Sequence, residues 1–368
     1  MRTADSLQPK QPALPALRRI LVIKLRNIGD VLLTTPTLAA IRAHCPNAQI
    51  TVLVARGTEG VLAGNPLVDI LWVSERGARS RSLFERARQA VSFILKLRRM
   101  RFDLVVDLTS GDRAAIFCAL SGARYRVATD PGGKGFVGKR YVYTHLAPRP
   151  DPALHTVEQN LAVVRQIGIA PGDTSLSLVP SVEDQQWADR RLSQSESRSK
   201  APTIHIHPTA RWMFKCWPDE SQAALIDRLI ERYDARIFLT CGPVPAEAEK
   251  ARRIIALTKR PPINLIGKTT LAQLAALSNR CAIFIGVDTA PMHIAAAVGT
   301  PVVALFGPTG QAQWRPWSAS FRVLQKNEGC NPNGPTGCAV TKRCLCLERI
   351  SVDEVMAAVE PYLAAHDG

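Results

Sequence analysis

The sequence lacks any apolar run long enough and clean enough to cross a bilayer. Its longest uncharged stretch, Thr289 to Trp314, is cut by Pro291, by Gly299-Thr300-Pro301 and by Gly307-Pro308 into a helix, a turn and a strand. The opening MRTADSLQPKQPALPALRR has no apolar core of signal-peptide length, which argues against export. Residues 1–17 read as a flexible leader, and the expectation is a cytoplasmic protein, at most peripheral to a membrane. Two nucleotide loops are missing despite near matches. Gly267-Lys268-Thr269 ends like a Walker A loop, but the first glycine required falls on Pro262, and Thr270 with Gln273 reads as a helix-opening capping box. Gly133-Lys134-Gly135-Phe136-Val137-Gly138 has the letters of GxGxxG, yet a strand-like Lys139–His145 follows where a dinucleotide site needs a helix. Helix-turn-helix, RRM and zinc-finger patterns are absent too, so a basic nucleic-acid-binding module has only charge in its favour.

Acidic residues are scarce. The 368 residues carry 31 Asp+Glu against 47 Lys+Arg, a net charge of +16. The excess is uneven: residues 1–150 hold 24 basic and 10 acidic side chains, whereas residues 203–368 hold 18 and 14. Such asymmetry points to an anionic partner for the first half. Arg76–Arg101, with nine Lys and Arg, reads as a long basic helix whose charges are either a solvated face or, given the excess, an anion-binding surface. Of the nine cysteines, five stand apart in apolar or helical contexts, as expected for reduced core thiols. Cys330, Cys338, Cys344 and Cys346 cluster, but at spacings awkward for tetrahedral zinc; packing, a redox pair and a metal all remain open.

Strand-like and helix-like segments alternate almost throughout. Arg19–Leu25, Gln49–Val54, Asp69–Val73 and Phe102–Asp107 read as strands in the first half, with a helix over Val31–His44. Thr203–His207, Arg236–Cys241, Ile263–Ile266, Cys281–Val287 and Pro301–Phe306 form a second series. Two βαβα runs predict an α/β protein of two Rossmann-like, doubly wound parallel-sheet domains, over 18–180 and 203–350. A polar linker over 181–202 joins them, and a final helix occupies 351–368. Ligands of such sheets bind beyond the carboxyl ends of the strands, so the residues there carry the chemistry.

Asn27-Ile28-Gly29-Asp30 follows the first strand directly. It reads as a helix cap, or as a carboxylate placed to act as general base. Asp288-Thr289-Ala290-Pro291-Met292-His293 sits at the equivalent place in the second half. There it reads as a cap, or as a helix N-terminus whose amides take a phosphate or pyrophosphate. In His207–Glu220, Lys215 stands among Trp212, Phe214 and Trp217, either a solvated charge on an apolar loop or a cation held for an anionic ligand.

Together these segments resemble glycosyltransferase family 9, the lipopolysaccharide heptosyltransferases. ILVIKLRNIGDVLLTTPTLAAIR is similar to that family's opening strand, GD turn and helix. LIGKTTLAQLAALSNRCAIFIGVDTAPMHIAAAVGTPVVALFGPT is similar to its donor-domain signature, and HPTARWMFKCWP to its donor-side lysine segment in the heptosyltransferase III form. The resemblance covers roughly residues 18–365. It implies a GT-B architecture, with the first domain taking the acceptor and the second ADP-heptose across a cleft. It also implies inverting transfer with no metal or cofactor, and a last helix packing back toward the first domain. Asp30 would be the base. Lys215 and Thr209 would hold the diphosphate with the amides from Thr289 and Ala290, while Asp288 and His293 would line the sugar. Glu247, with Glu249 nearby, would bind the ribose. Arg26, Arg79, Arg81, Lys134 and Lys139 are candidates for the acidic groups of a lipid A–core acceptor at the inner membrane surface, with no specific nucleic acid partner. A nucleotide-sugar epimerase, or a GT-B transferase with another donor, would share this fold. The late cysteine loop departs from the family's C-x-x-C start, since Asn333 stands three positions after Cys330, although CLERI still matches.

Overall fold

The computed structural model describes residues 16–75, 82–193, 201–326 and 344–364. Its first half runs β1 (Arg19–Lys24), α1 (Ile28–Leu32), α2 (Thr35–His44), β2 (Gln49–Ala55), β3 (Ile70–Ser74), α3 (Leu83–Arg99), β4 (Leu104–Asp107), α4 (Asp112–Ser121), β5 (Tyr125–Thr129), β6 (His145–Ala147) and α5 (Thr156–Arg165). The second runs α6 (Val182–Ser193), β7 (Thr203–His207), α7 (Asp219–Tyr233), β8 (Arg236–Leu239), α8 (Pro245–Leu257), β9 (Ile263–Asn264), α9 (Leu271–Ser278), β10 (Ile283–Val287), α10 (Ala290–Ala297), β11 (Val302–Phe306), α11 (Gln311–Trp314), β12 (Phe321–Gln325), α12 (Leu345–Glu348) and α13 (Val352–Leu363).

Each half builds a six-stranded sheet, in the orders β3-β2-β1-β4-β5-β6 and β12-β11-β10-β7-β8-β9. Both are the same doubly wound order, and every pairing is parallel. The central strands explain themselves. RILVIK, TIHIH, IFIGV and VVALF are nearly continuous buried runs, as strands covered by helices on both faces must be. The topology reverses between β1 and β4 in one sheet and between β7 and β10 in the other, leaving a crevice at each point.

Several boundaries differ from the sequence reading, each for a local reason. The helix expected over Val31–His44 is broken at Leu33–Thr34. Pro36 supplies no N–H, and the hydroxyls of Thr34 and Thr35 donate back to the carbonyls of Val31 (2.6 Å) and Leu32 (2.8 Å). Lys139–His145 is not a strand. Gly138 adopts φ +84°, a 3-10 turn covers Lys139–Val142, and β6 starts only at His145. The basic segment becomes helical at Leu83, where Ser82 and Glu85 cap each other reciprocally. Residues 76–81, including the candidates Arg79 and Arg81, lie outside the described residues.

The polar stretch read as linker contains α6. Trp187 and Leu192 of that helix pack on Phe238, Leu265 and Leu277, and Asp189 pairs with Arg280. The last helix does not turn back to the first sheet as expected. Val355, Met356, Val359 and Leu363 fall at helical spacing and sink into the core of the second sheet, while Asp353 and Glu360 bind Arg228 and Arg232 of α7. Cys344 and Cys346 are free thiols in that core; Cys330 and Cys338 lie outside the described residues.

The halves share apolar surface. The first core includes Leu274, Ala275 and Ile294 from the second half, with Trp314 and Trp317 packed against it. Polar bonds fix this seam. Trp317 Nε1 donates to the Thr174 carbonyl (2.8 Å). His155 accepts from the Val157 amide on Nδ1, so its Nε2–H donates to the Arg315 carbonyl (2.9 Å), with the ring stacked 4.6 Å from Trp317. A shared apolar seam joins the two halves.

Candidate active site

The two crevices open into one cleft of about 900 Å³ between the sheets. Its walls come from the segments that follow β1, β4, β7 and β10, where a doubly wound sheet presents its ligand-binding loops.

On the first wall, Asp30 occupies the third position of α1. Its Oδ2 accepts from the Asn27 amide (3.3 Å) and from Asn27 Nδ2 (3.2 Å), so the cap and the catalytic candidate are the same carboxylate. The preceding turn is stitched to the turn after β4. The Leu25 amide donates to Thr109 Oγ1 (2.8 Å), and Arg26 donates from Nε and Nη2 to the Thr109 carbonyl. Asp107 shapes that second turn. It accepts from the amides of Thr109 (2.7 Å) and Ser110 (3.2 Å) and from the Tyr143 hydroxyl (2.7 Å), and holds Ser110 at φ +59°. Burial pushes its carboxyl up, against those three hydrogen bonds. Lys24, buried at the end of β1, donates to the Leu108 carbonyl (2.8 Å) and to Asn160 Oδ1 (3.2 Å) at the cleft floor. Burial lowers its pKa, an effect that the nearby Asp30 carboxylate opposes.

On the facing wall, Lys215 closes a 3-10 turn over Met213–Lys215 and reaches Asp288 Oδ2 at 2.6 Å. Both side chains are largely buried, and the lysine Nζ lies 5.1 Å from the centre of the Trp212 ring. Trp217 anchors the segment from behind. It is fully buried, with Nε1 donating to the Ile350 carbonyl (3.1 Å). Thr289 and Ala290 open α10 at the cleft surface.

His293 joins the walls. A Cβ on Gly29 would lie 2.9 Å from its Cδ2, so α1 approaches α10 this closely only because position 29 has no side chain. Its buried Nδ1 has no hydrogen-bond partner among the described residues. Burial pushes the imidazole down to about 4, although Asp288 and Asp30 pull the other way.

The cleft lining therefore brings together Asp30, Arg26, Lys215, Asp288, Thr289, Ala290 and His293. Thr209 and Glu247 are brought to each other instead. The threonine hydroxyl donates to Glu247 Oε2 (2.9 Å), both are buried, and the glutamate lies against Gly242 behind the lining. Glu249 is exposed and pairs with Arg253. Lys139 turns inward, giving its protons to Asp112 (3.0 Å) and the Ser110 carbonyl (2.9 Å), and is no open anion site. Lys134 is exposed on the neighbouring turn, away from the lining. Sequence reasoning passed over Lys24, Asn160 and Thr109. The one available signal was a lysine closing the otherwise apolar RILVIK strand.

Two Rossmann-like domains, with a carboxylate on one wall of the cleft and a lysine–aspartate pair on the other, give the chain the GT-B architecture of nucleotide-sugar enzymes. The chain belongs to glycosyltransferase family 9 (heptosyltransferase), whose model matches residues 90–343. It is 34% identical to lipopolysaccharide heptosyltransferase 3 of Escherichia coli strain K12 over 341 residues, covering 92% of this chain and 96% of that one. Among solved structures, a family 9 glycosyl transferase from Veillonella parvula superposes with a TM-score of 0.77 at 23% identity, covering 96% and 99% of the two chains. E. coli ADP-heptose lps heptosyltransferase II gives 0.75 at 21% identity, covering 95% and 100%.

Proposed function

We propose that this enzyme transfers L-glycero-D-manno-heptose from ADP-heptose onto a heptose of the lipopolysaccharide inner core, with inversion and without a metal. One observation carries the reading: Asp30 and the Lys215–Asp288 pair converge on a single cleft from opposite sheets. Asp30 takes the proton of the attacking acceptor hydroxyl while the anomeric carbon passes through an oxocarbenium-like state. Negative charge then grows on the leaving diphosphate. Lys215 turns from Asp288 toward it, the amides at the start of α10 add oriented dipoles, and Asp288 is released to accept from sugar hydroxyls. Glu247 is the acid assigned to the ribose, a contact that requires its buried hydrogen bond with Thr209 to open toward the cleft. The identity to lipopolysaccharide heptosyltransferase 3 supports heptose transfer onto lipopolysaccharide. That acceptor is lipid-linked, so the enzyme works peripherally at the cytoplasmic face of the inner membrane. Among the described residues no helix is long and apolar enough to cross it.

The test is mass spectrometry of a core bearing two heptoses and lacking the third, incubated with ADP-heptose and a chelator. A gain of one heptose, absent with Asp30→Ala, is the expected result. A gain only on a shorter core would move the acceptor assignment. No gain on any core, or a gain only with added metal, would refute the corresponding part of the reading. The anomeric configuration of the product checks inversion.

A further inference from the structure

Helix α3 carries two apolar stripes, and only one is used. Phe93, Leu97 and Met100 pack inward with Trp72, Phe102 and Phe117. Phe84, Ala87, Val91 and Leu95 recur at helical spacing on another face, and all are exposed, Phe84 to 78%, Val91 to 56% and Leu95 to 49%. Arg88, Lys96 and Arg99 flank the stripe and line a shallow groove of about 540 Å³ with Val91 and Leu95. Helix α4 packs against α3 on one side and the Lys139–Val142 turn on the other. It adds the exposed Ile116, and the turn adds Phe136, Val137 and Tyr141, the last 82% exposed, among Lys134 and Arg140. Seven of the fifteen large hydrophobic side chains exposed among the described residues thus fall on three adjacent elements of the first domain. Scattered exposure of that kind is ordinary, but concentration on one basic face is not.

We propose that the outward face of α3, continued by Ile116 and the Phe136–Tyr141 turn, docks the enzyme on an anionic bilayer. This deepens the reading above and rests on its lipid-linked acceptor. The apolar stripe enters the boundary between headgroups and acyl chains while the flanking Arg and Lys meet anionic headgroups, the arrangement of an interfacial amphipathic helix. A second copy of this chain is a poor occupant, because two such faces would oppose like charges. The face also borders the acceptor wall. Lys139 ties its turn to the carbonyl of Ser110, a cleft-lining residue. Docking here presents the Asp30 side of the cleft to a substrate anchored in the same leaflet.

The experiment is cosedimentation of the full chain with phosphatidylglycerol–phosphatidylethanolamine vesicles and with neutral phosphatidylcholine vesicles, at low and high salt. Wild type should bind the anionic vesicles, weakening but not vanishing as salt screens the charges. Phe84→Asp, Val91→Asp and Leu95→Asp combined should lower binding at least tenfold. These positions are solvent-facing, so the melting temperature should hold, and transfer to a delipidated core should stay at the wild-type rate. Should the triple variant be unfolded, Val137→Asp with Tyr141→Asp serves in its place and should also weaken binding. Wild-type binding by the variants would overturn the proposal, as would no wild-type binding, or a wild-type dimer that the substitutions dissociate. Binding without transfer to any core would refute the catalytic reading and leave docking standing; transfer without binding would do the reverse.

Discussion

Lowering the pH should destabilise this protein well above the range in which carboxylates titrate, because its buried histidines are neutral. His155, His207 and His293 are each no more than 3% exposed, and burial pushes them to about 4, about 3 and about 4 respectively. His205 is driven down as well; its two ring nitrogens meet Ser278 and Thr240 hydroxyls at 2.8 Å. In the unfolded chain a histidine binds its proton near pH 6.5. Between that value and the lowered native one, the unfolded state holds the extra proton, so native stability falls as pH falls. The stabilisation is complete above 6.5 and is lost progressively toward 4. Each of the three contributes about 1.4 kcal/mol per pH unit within this window, giving a combined slope approaching about 4 kcal/mol per unit near pH 5.5. By pH 5 the accumulated loss is about 6 kcal/mol, comparable with the net stability of a typical domain. Asp107, whose carboxyl burial pushes up, offsets part of this as it takes up its own proton. Urea titrations at half-unit steps from pH 7.5 to 5 measure the slope, and His155→Gln should reduce it by about 1.4 kcal/mol per unit. A midpoint unchanged between pH 7 and 5.5 would refute the reasoning.

Lys215→Ala should lower kcat by about 10²–10³, the scale for removing one stabiliser of developing charge, with Lys215→Arg recovering part of it; steady-state kinetics with ADP-heptose decide. Asp30→Asn should lower kcat by about 10²–10⁴ while leaving the melting temperature within a few degrees, since its partner Asn27 is exposed. Gly29→Ala drives a methyl to 2.9 Å from the His293 ring. It should cost about 1–3 kcal/mol, read by denaturant midpoint, and reduce kcat/KM by spreading the two walls. Tyr143→Phe strips one of three donors from buried Asp107 and should cost about 1–3 kcal/mol in the same titration.

Much of the architecture is local information. Buried parallel strands announce themselves as uninterrupted apolar runs, so β1, β7, β10 and β11 are legible within a residue or two. The turn residues after them follow, since Asn27–Asp30 and Asp288–His293 stand where strands end and helices begin. The edges were harder to see. β6 has three residues, and the half-exposed β12 pairs with β11 alone among the described residues, too little pattern for a period-two signal; β9, read over Ile263–Ile266, keeps only Ile263–Asn264. Polar-looking α6 hid because its apolar contribution is sparse: Trp187 and Leu192 pack on the second domain and Ala188 is buried, among charged residues such as Asp189.

The sequence by itself determined the two doubly wound sheets, the positions that end their strands, and the excess of positive charge in the first half, because propensity and hydrophobic period act over neighbouring residues. Only the tertiary structure decided which charges are free to act. Lys215 and Asp288 lie 73 residues apart and meet at 2.6 Å, Lys139 is taken by Asp112 across 27 residues, and α13 settles on its own sheet. Charge pairing and burial depend on distance in space, and that distance is set by how the two sheets pack, which no window of sequence contains.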